Sequence, residues 1–532
     1  MANQAEGKLI AEGATYLGIE MGSTRIKAVL TDGSGNVLAS GGCDWENKFE
    51  NGFWTYSLDG IWEGLRECYR QLAQDVTDRY GVKLETLGAI GVSGMMHGYM
   101  PFDKYDKLLV PFRTWRNTTT AEAAEKLTNL FAFNVPQRWS VAHLYQAILN
   151  GEPHVGEIEY LMTIASYIHY RLTGERVAGI GEASGMFPID SDTRRYDAVM
   201  LRKFDKLVAG SELKRPLASL LPNVLPAGSY AGSLTAQGAM LLDPTGTLRP
   251  GMLLCPPEGD AGTGMVATNS IAARTGNVSA GTSIFLMAVL EKPLRGLHME
   301  VDIVTTPTGR PVAMVHCNTC TSEIDAWIKL FGEVISAAGV KLSKSELYSL
   351  MYHLAMDSDP DCGGLLAYNY HAGEPITGFE AGVPLFVRRP DAMFNLKNFI
   401  HAQLNSVVAT LRFGMDILKA EGVVLDNLMG HGGFFKVASV GQRIMSAALE
   451  IPVSVMSTAG EGGPWGMALL AAYRKNKAKG ESLDEYLDKE IFCSSPSQTI
   501  MAERDAIDGF EVFLDKYKKG LPILRKAVDT LT

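Results

Sequence analysis

Asp260 is the acid in this sequence best placed to take a proton. It stands in Pro256-Pro257-Glu258-Gly259-Asp260-Ala261-Gly262-Thr263-Gly264. The glycines at 259 and 262 remove side-chain bulk, so backbone and carboxylate can both approach a ligand. No Lys or Arg lies within the stretch to neutralise the acid. Gly-Asp is also ordinary turn chemistry, and the stretch reads as a loop. A glycosidase built on Glu258 and Asp260 is disfavoured, because carboxylates two residues apart on one loop have no reason to flank a glycosidic bond.

Two further stretches suit anions. Gly22-Ser23-Thr24 and Gly281-Thr282-Ser283 are short turns offering backbone N–H groups and two hydroxyls each, with Arg25 and Lys27 beside the first. A plain hairpin turn is the competing reading of the first. Ala28-Val29-Leu30 and Ala288-Val289-Leu290 follow the two turns, a short internal repeat. Facing each other across a cleft, two such turns could grip one polyphosphate. No GxxxxGK[ST] run occurs, which excludes a P-loop.

For a sugar, the candidate binders are Met96 and His97 in Ser93-Gly94-Met95-Met96-His97-Gly98, and Trp115 and Arg116 in Pro111-Phe112-Arg113-Thr114-Trp115-Arg116-Asn117-Thr118-Thr119. An aromatic face with planar donors and hydroxyls suits a ring and its hydroxyl groups. A structural histidine and a surface loop are the plain alternatives. Glu182-Ala183-Ser184-Gly185-Met186 is a candidate lining segment in residues 137–250, which are otherwise hard to decode. Gly430-His431-Gly432-Gly433 and the run from Thr458 to Gly466 each follow a predicted strand and precede a predicted helix, an arrangement that lets a flat base pack on bare backbone. Cys317-Asn-Thr-Cys320 is a lone CxxC, without the second pair a zinc site needs.

The elements that must position these residues follow from periodicity and punctuation. Strands are predicted at 15–20, 26–31 and 37–40, then a helix over 60–80 capped by Asp59 and stopped by Gly81. A buried strand at 87–92 ends at the Met96-His97 loop, where open α/β sheets place ligands. The second half repeats the opening with strands at 276–280 and 284–290. A helix over 322–338 and a long one from about 396 to Gly422 follow. Strands at 423–429 and 452–456 come next, with helices from about Lys436 and after Gly466.

Composition bounds the class. The chain has 532 residues, 46% of them hydrophobic, and a net charge of −10, which gives no support for nucleic-acid or anionic-membrane binding. Seven thinly spread cysteines point to a reducing compartment, and no run approaches a membrane span, so a cytoplasmic protein is expected.

Taken together and in order, these motifs resemble the FGGY carbohydrate kinases from Tyr16 to about Tyr473. Gly18-Ile19-Glu20-Met21-Gly22-Ser23-Thr24-Arg25-Ile26-Lys27 resembles the first phosphate loop, and Gly281-Thr282-Ser283 the second. Gly94-Met95-Met96-His97-Gly98 is similar to the substrate loop of xylulokinases, and Gly259-Asp260-Ala261-Gly262 falls where the family has its catalytic aspartate. Gly432-Gly433 and Gly460 to Gly466 resemble the adenosine-side turns. The implied fold is α/β, two RNase H-like (actin-like ATPase) domains around a central cleft, with domains 1–271 (sugar-binding) and 272–532 (nucleotide-binding).

The implied reaction is ATP-dependent phosphorylation of a ketopentose, L-ribulose or D-xylulose, at its primary 5-hydroxyl. Asp260 would be the base and Met96, His97, Trp115, Arg116 and Asp260 the sugar contacts. Gly22, Ser23, Thr24, Lys27, Gly281, Thr282, Ser283, Gly432, Gly433 and Gly460 would hold ATP, and Glu20 would place Mg2+. The chain departs from the family's pattern in several places. Glu20 stands where the family usually has Asp, and Met95 where xylulokinases usually have Gln. Trp115-Arg116-Asn117-Thr118-Thr119 is closer to the Trp-Lys-Asp-His-Thr run of ribulokinases, and Pro375 replaces an arginine often found after Glu374. A small-molecule sugar is the expected partner, with no nucleic acid or membrane, and a homodimer is the assembly considered. A sugar-independent actin-like ATPase and a non-catalytic sugar-binding regulator are the rival readings.

Overall fold

The structure is a computed structural model that describes residues 2–437, 439–456, 462–493 and 497–532. The chain folds into two compact units. The first comprises residues 1–271, 302–312 and 461–494, and the second 272–301, 313–460 and 495–532. Sequence reading places one cut near 271. The structure has that crossing and also returns two later segments to the first unit.

The first unit is built on a mixed sheet. Strands β1 (Tyr16–Met21), β2 (Arg25–Thr31) and β3 (Val37–Asp44) form an antiparallel meander. On its other side β1 pairs in parallel with β4 (Ala89–Gly94), which in turn pairs in parallel with β5 (Leu253–Leu254) and β6 (Glu258–Gly259). Leu17, Ile19, Ile26, Leu30, Ile90 and Val92 are buried, as the short apolar runs require.

Helix α1 (Leu58–Tyr80) buries Ile61, Leu65, Cys68, Leu72 and Val76, the face its spacing predicts. It is capped by Ser57, whose hydroxyl accepts from Gly60 N, and not by Asp59, which lies inside the first turn. Gly81 ends the helix in the left-handed conformation, at φ 68°. A short helix α2 (Ile180–Ala183) and helix α3 (Asp260–Ala267) complete the site-bearing elements of residues 1–271.

Helix α4 (Gly462–Asn476) is the element that the second half of the sequence gives back to the first unit. It starts four residues before the end of its glycine-rich stretch, so Gly462, Gly463 and Gly466 are helical residues and not a turn ahead of the helix. Those glycines are needed for packing. A Cβ on Gly18 would stand 2.0 Å from Pro464 O and 2.4 Å from Ala468 N, and one on Gly466 would stand 2.1 Å from Thr263 O. The backbones of β1, α4 and α3 thus meet with no room for a side chain between them.

The second unit repeats the plan. Strands β7 (Thr275–Ala280) and β8 (Ile284–Val289) form an antiparallel hairpin, β9 (Pro311–Cys317) lies beside β8, and β7 pairs in parallel with β10 (Asn427–His431). Beyond β10 come β11 (Val453–Met456), parallel, and β12 (Ser497–Ile500), antiparallel. The long helix Leu396–Ala420 buries Ile400, Leu404, Val407, Leu411, Met415 and Leu418.

Two boundaries differ from expectation. β10 begins at Asn427 and not at Val423, because Val423 N closes the preceding helix on Leu418 O and Asp426 is held by Arg274. The helix expected from Lys436 is a short 3-10 turn, Gly433–Phe435, followed by an α-helix over Val440–Leu449.

The packing gives a direct expectation. Gly18→Ala forces β1 away from α4 and should cost about 1–3 kcal/mol of stability, as overpacking does. A lowered urea midpoint with unchanged slope is the expected readout; an unchanged midpoint would show that the two backbones separate without penalty.

Candidate active site

Asp260 is the first residue of α3, not a loop residue, and Gly259 is its N-cap. Strand β6 delivers it, in register with β4: Glu258 lies opposite Ser93 and Gly259 opposite Gly94. The carboxylate is half-buried. Its Oδ1 accepts from Ala261 N at 2.9 Å and, more weakly, from Met96 N at 3.4 Å. Its Oδ2 makes no hydrogen bond among the described residues. Burial pushes its pKa up to about 6, against those backbone N–H donors.

Three other acids surround this residue. Glu20, on β1 opposite Lys27, is half-buried, with its pKa pushed to about 7 by burial and then by the charge of Asp260, while Lys27 opposes. Its carboxylate lies between the first glycine turn and the start of α4. A Cβ on Gly463 would stand 1.8 Å from its Oε2, and one on Gly22 would stand 3.2 Å from its Oε1. Glu258 is 1% exposed and accepts from Gly181 N at 3.3 Å and Glu182 N at 2.9 Å, so it orients α2. Burial raises its pKa to about 8. Glu182 is fully buried, and its Oε2 lies 2.8 Å from the position of a Cβ on Gly259.

Met96 follows β4 and packs against Gly259, next to Asp260. His97 sits beside it but faces inward. The ring is 6% exposed, holds a left-handed backbone at φ 72°, bonds through Nδ1 to Gly185 O at 3.1 Å, and stacks on Trp139. Burial, and then the charge of Arg138, push its pKa to about 3, so it is neutral. Trp115 and Arg116 occupy a different place. The Trp115 indole, 39% exposed, donates to Ser23 Oγ at 3.1 Å, and the Arg116 guanidinium lies 4.0 Å over the Trp54 ring. The structure therefore joins Met96 to Asp260, and attaches Trp115 to the first glycine turn.

That turn, Gly22-Ser23-Thr24, links β1 to β2. Its carbonyls are held from behind. Trp45 Nε1 donates to Gly22 O at 2.7 Å, Trp45 N to Thr24 O at 3.1 Å, and the Tyr56 hydroxyl to Ser23 O. Lys27 is exposed on β2. The second turn, Gly281-Thr282-Ser283, links β7 to β8 and is backed by the Cys317–Cys320 segment: Cys320 N donates to Thr282 O and Thr321 N to Gly281 O. Both thiols are buried, and burial raises their pKa values, so the pair is packed and inert. Gly432 has φ 100°, and a Cβ there would stand 2.4 Å from Ala280 O; Gly433 faces open space. Gly460 lies outside the described residues. Among those residues no three His, Cys, Asp or Glu side chains converge as metal ligands, and no helix is long and apolar enough to cross a membrane.

The model of the FGGY family of carbohydrate kinases, N-terminal domain, matches residues 15–245, and that of the C-terminal domain matches residues 276–474. The chain belongs to the FGGY family of carbohydrate kinases. It is similar to a xylulose kinase of Haemophilus influenzae, 23% identical over 448 residues that cover 81% of this chain and 85% of that one. A xylulose kinase of Lactococcus lactis is 21% identical over 486 residues, 86% and 88% of the two chains. Among solved structures, a xyloylose kinase of Brucella ovis superposes with a TM-score of 0.77 at 18% identity, covering 96% of this chain and all of that one. Plasmodium falciparum glycerol kinase with ADP gives 0.72 at 15% identity, covering 97% and 98%. The fold is the two-domain, actin-like ATPase fold of FGGY kinases.

Sequence reasoning passed over three residues that shape this FGGY site. Tyr56 and Trp45 hold the first turn but sit in no recognisable motif. Glu258 is visible as an acid two residues before Asp260, and nothing in the sequence says that it bonds the 181–182 backbone. The burial of Glu258 has a consequence for stability. A carboxyl raised from its unfolded value near 4.5 to about 8 contributes stability that is full below 4.5 and lost as pH rises through 8. Glu20 and Asp260 act in the same sense. The urea midpoint should therefore fall between pH 5 and pH 8, and fall less in Glu258→Gln; equal slopes for both proteins would remove Glu258 as a contributor.

Proposed function

We propose that this FGGY kinase transfers the γ-phosphoryl group of ATP to the primary 5-hydroxyl of a ketopentose, L-ribulose or D-xylulose. The observation that carries the reading is Asp260: a half-buried carboxylate with one oxygen tethered, the other unbonded among the described residues, and a pKa raised to about 6. Such a group is ionised at neutral pH yet basic enough to accept a proton as an alcohol oxygen loses it. The sugar O–H gives its proton to Asp260, the oxygen forms the new bond to phosphorus, and the bond to the β-phosphate oxygen breaks to release ADP. Phosphoryl transfer depends chiefly on positioning and charge stabilisation, with a general base adding about 10²–10⁴-fold.

Within the first unit, Gly22, Ser23 and Thr24 with Lys27 would take phosphate oxygens, and Gly281, Thr282 and Ser283 would do so in the second. Gly432, Gly433 and Gly460 would line the adenosine. Glu20 fits a magnesium ion. It is a carboxylate with no ion pair among the described residues, and the charge of Asp260 already disfavours its anion, a cost a cation would relieve. Bound there, magnesium would neutralise phosphate charge. Met96 would touch the sugar, with Trp115 and Arg116 acting from the Ser23 side. The similarity to xylulose kinases favours D-xylulose, and the Trp115-Arg116 run favours L-ribulose. The composition suits a cytoplasmic enzyme.

Two measurements test the proposal. ADP release with MgATP is expected for one of these ketopentoses in a panel with D-ribulose, L-xylulose, L-fuculose, L-rhamnulose and glycerol. Asp260→Asn should fold, bind ATP and lose at least about 10²-fold in kcat. In the wild type, kcat/KM should rise with pH through about 6 and then level. Release of ADP without any sugar would favour the actin-like ATPase reading, and sugar binding without turnover the regulator.

A further inference from the structure

The two fully buried glutamates beside Asp260 are treated oppositely by the fold. Glu258 has backbone donors for both oxygens, from Gly181 N and Glu182 N. Glu182 is 0% exposed, and among the described residues neither Oε1 nor Oε2 meets hydrogen-bond geometry, the Thr163 hydroxyl being the polar side chain that interacts with it. A buried polar group without a partner is rare and calls for an explanation. Its surroundings supply one. The carboxyl lies against Gly259, the residue before the candidate base, where the Met96 side chain fills the space a Cβ would take. The Met96 side chain shares the space: its Cγ and Sδ would be 2.2 and 2.9 Å from a Cβ on Gly259, against 2.8 Å for Glu182 Oε2. The Met96 methyl continues over Gly185, where the His97 ring also rests. Methionine has three rotatable bonds and repacks easily.

We infer that Glu182 is a specificity-determining residue whose missing hydrogen-bond partner is a secondary hydroxyl of the open-chain sugar, reached when the Met96 side chain swings off Gly259. The inference rests on the kinase reading of this site and adds to it the group that selects for polyols. Glu258 fixes the backbone of residues 181 and 182 and so fixes the direction of the Glu182 side chain. Burial holds the Glu182 carboxyl well above its ordinary pKa. The charges of Glu258 and Asp260 add to that effect, and the Thr163 hydroxyl opposes it. A neutral carboxyl can both donate to and accept from a hydroxyl group. A site built to bond a hydroxyl rejects the analogue that lacks it, because its own polar group is then left unpaired.

The test compares the full-length wild type with Glu182→Met and Glu182→Gln. Binding of D-xylulose, L-ribulose and their 3-deoxy and 4-deoxy analogues is measured by calorimetry without nucleotide, and turnover is measured separately with MgATP. Wild type should bind one parent ketose at least about 30-fold more tightly than one of its deoxy analogues. In Glu182→Met that ratio should collapse to within about threefold, through loss of the parent's affinity. The same variant should have a higher Tm, since an isosteric apolar side chain removes an unpaired buried group. Glu182→Gln, which keeps a donor and an acceptor, should retain part of the discrimination.

A lower Tm with an unchanged ratio would make Glu182 structural, and a higher Tm with an unchanged ratio would also overturn the inference. Discrimination that depends on Glu182 without phosphorylation would refute the kinase reading alone. Phosphorylation with a Glu182-independent ratio would refute this inference alone. Failure of wild type to bind or turn over any ketose would overturn both.

Discussion

The first unit depends on a junction too tight for side chains. Strand β1, helix α4 and helix α3 approach so closely that Gly18 and Gly466 admit nothing larger than hydrogen, and the Glu20 carboxylate leaves no room for a side chain at Gly463. Interiors are packed to the density of organic crystals, so such a contact fixes its neighbours to fractions of an ångström. Two of those neighbours are chemical groups. Glu20 leaves β1 with its carboxylate against Gly463, and Asp260 opens the helix whose Thr263 carbonyl abuts Gly466. The junction also explains why residues 461–494 return to the first unit. Without α4, β1 would lose the surface that aligns its carboxyl end.

Around that junction the fold accumulates a cost. Glu20, Glu182, Glu258 and Asp260 are all partly or wholly buried, and burial is the first cause of the raised pKa of each. Desolvating a carboxylate without a cation is expensive, and protein interiors ordinarily avoid it. Here the four acids are treated differently. Glu258 is satisfied by backbone donors and serves as scaffolding. Asp260 is half satisfied, Glu20 has no ion pair among the described residues, and among them Glu182 meets no hydrogen-bond geometry. This gradation, from a structural acid to acids left open, is the pattern expected where a site gives up stability for chemistry.

Much of this was legible in the sequence, and the omissions have physical reasons. Asp260 and the two Gly-hydroxyl turns stand out as short local patterns, whereas the burial of Asp260 and Glu20 comes from contacts distant in the chain. The helix face of Ile61, Leu65, Cys68, Leu72 and Val76 is a matter of spacing alone, and it is buried as expected. What local sequence does not show depends on long-range contacts. The glycine-rich run ending at Gly466 reads as a turn because glycine is a poor helix former. Close packing against β1 and α3 overrides that propensity. His97 reads as a ligand because of its loop position. Its Nδ1 meets Gly185 O and its face lies against Trp139, residues 42 to 88 positions away in the chain. Trp115 and Arg116 read as a single sugar-binding face, yet adjacent residues point to different partners, Ser23 and the Trp54 ring.

The same strand plan serves both units with different end chemistry. In each, an antiparallel meander is joined in parallel by a later strand, β4 beside β1 and β10 beside β7. At the carboxyl end of β4, Met95 N donates to Met21 O, so the chain leaves the sheet carrying full side chains, Met96 among them. At the carboxyl end of β10, Gly432 adopts φ 100° with its α-carbon pressed toward Ala280 O, and Gly433 opens onto free space. One loop presents side-chain groups and the other bare backbone. A polyol needs directional donors and acceptors at fixed points, whereas a flat base needs a surface without obstruction. The difference lies in two or three residues at equivalent strand ends. Under the proposed function, the repeated strand plan would divide two binding tasks without altering its core.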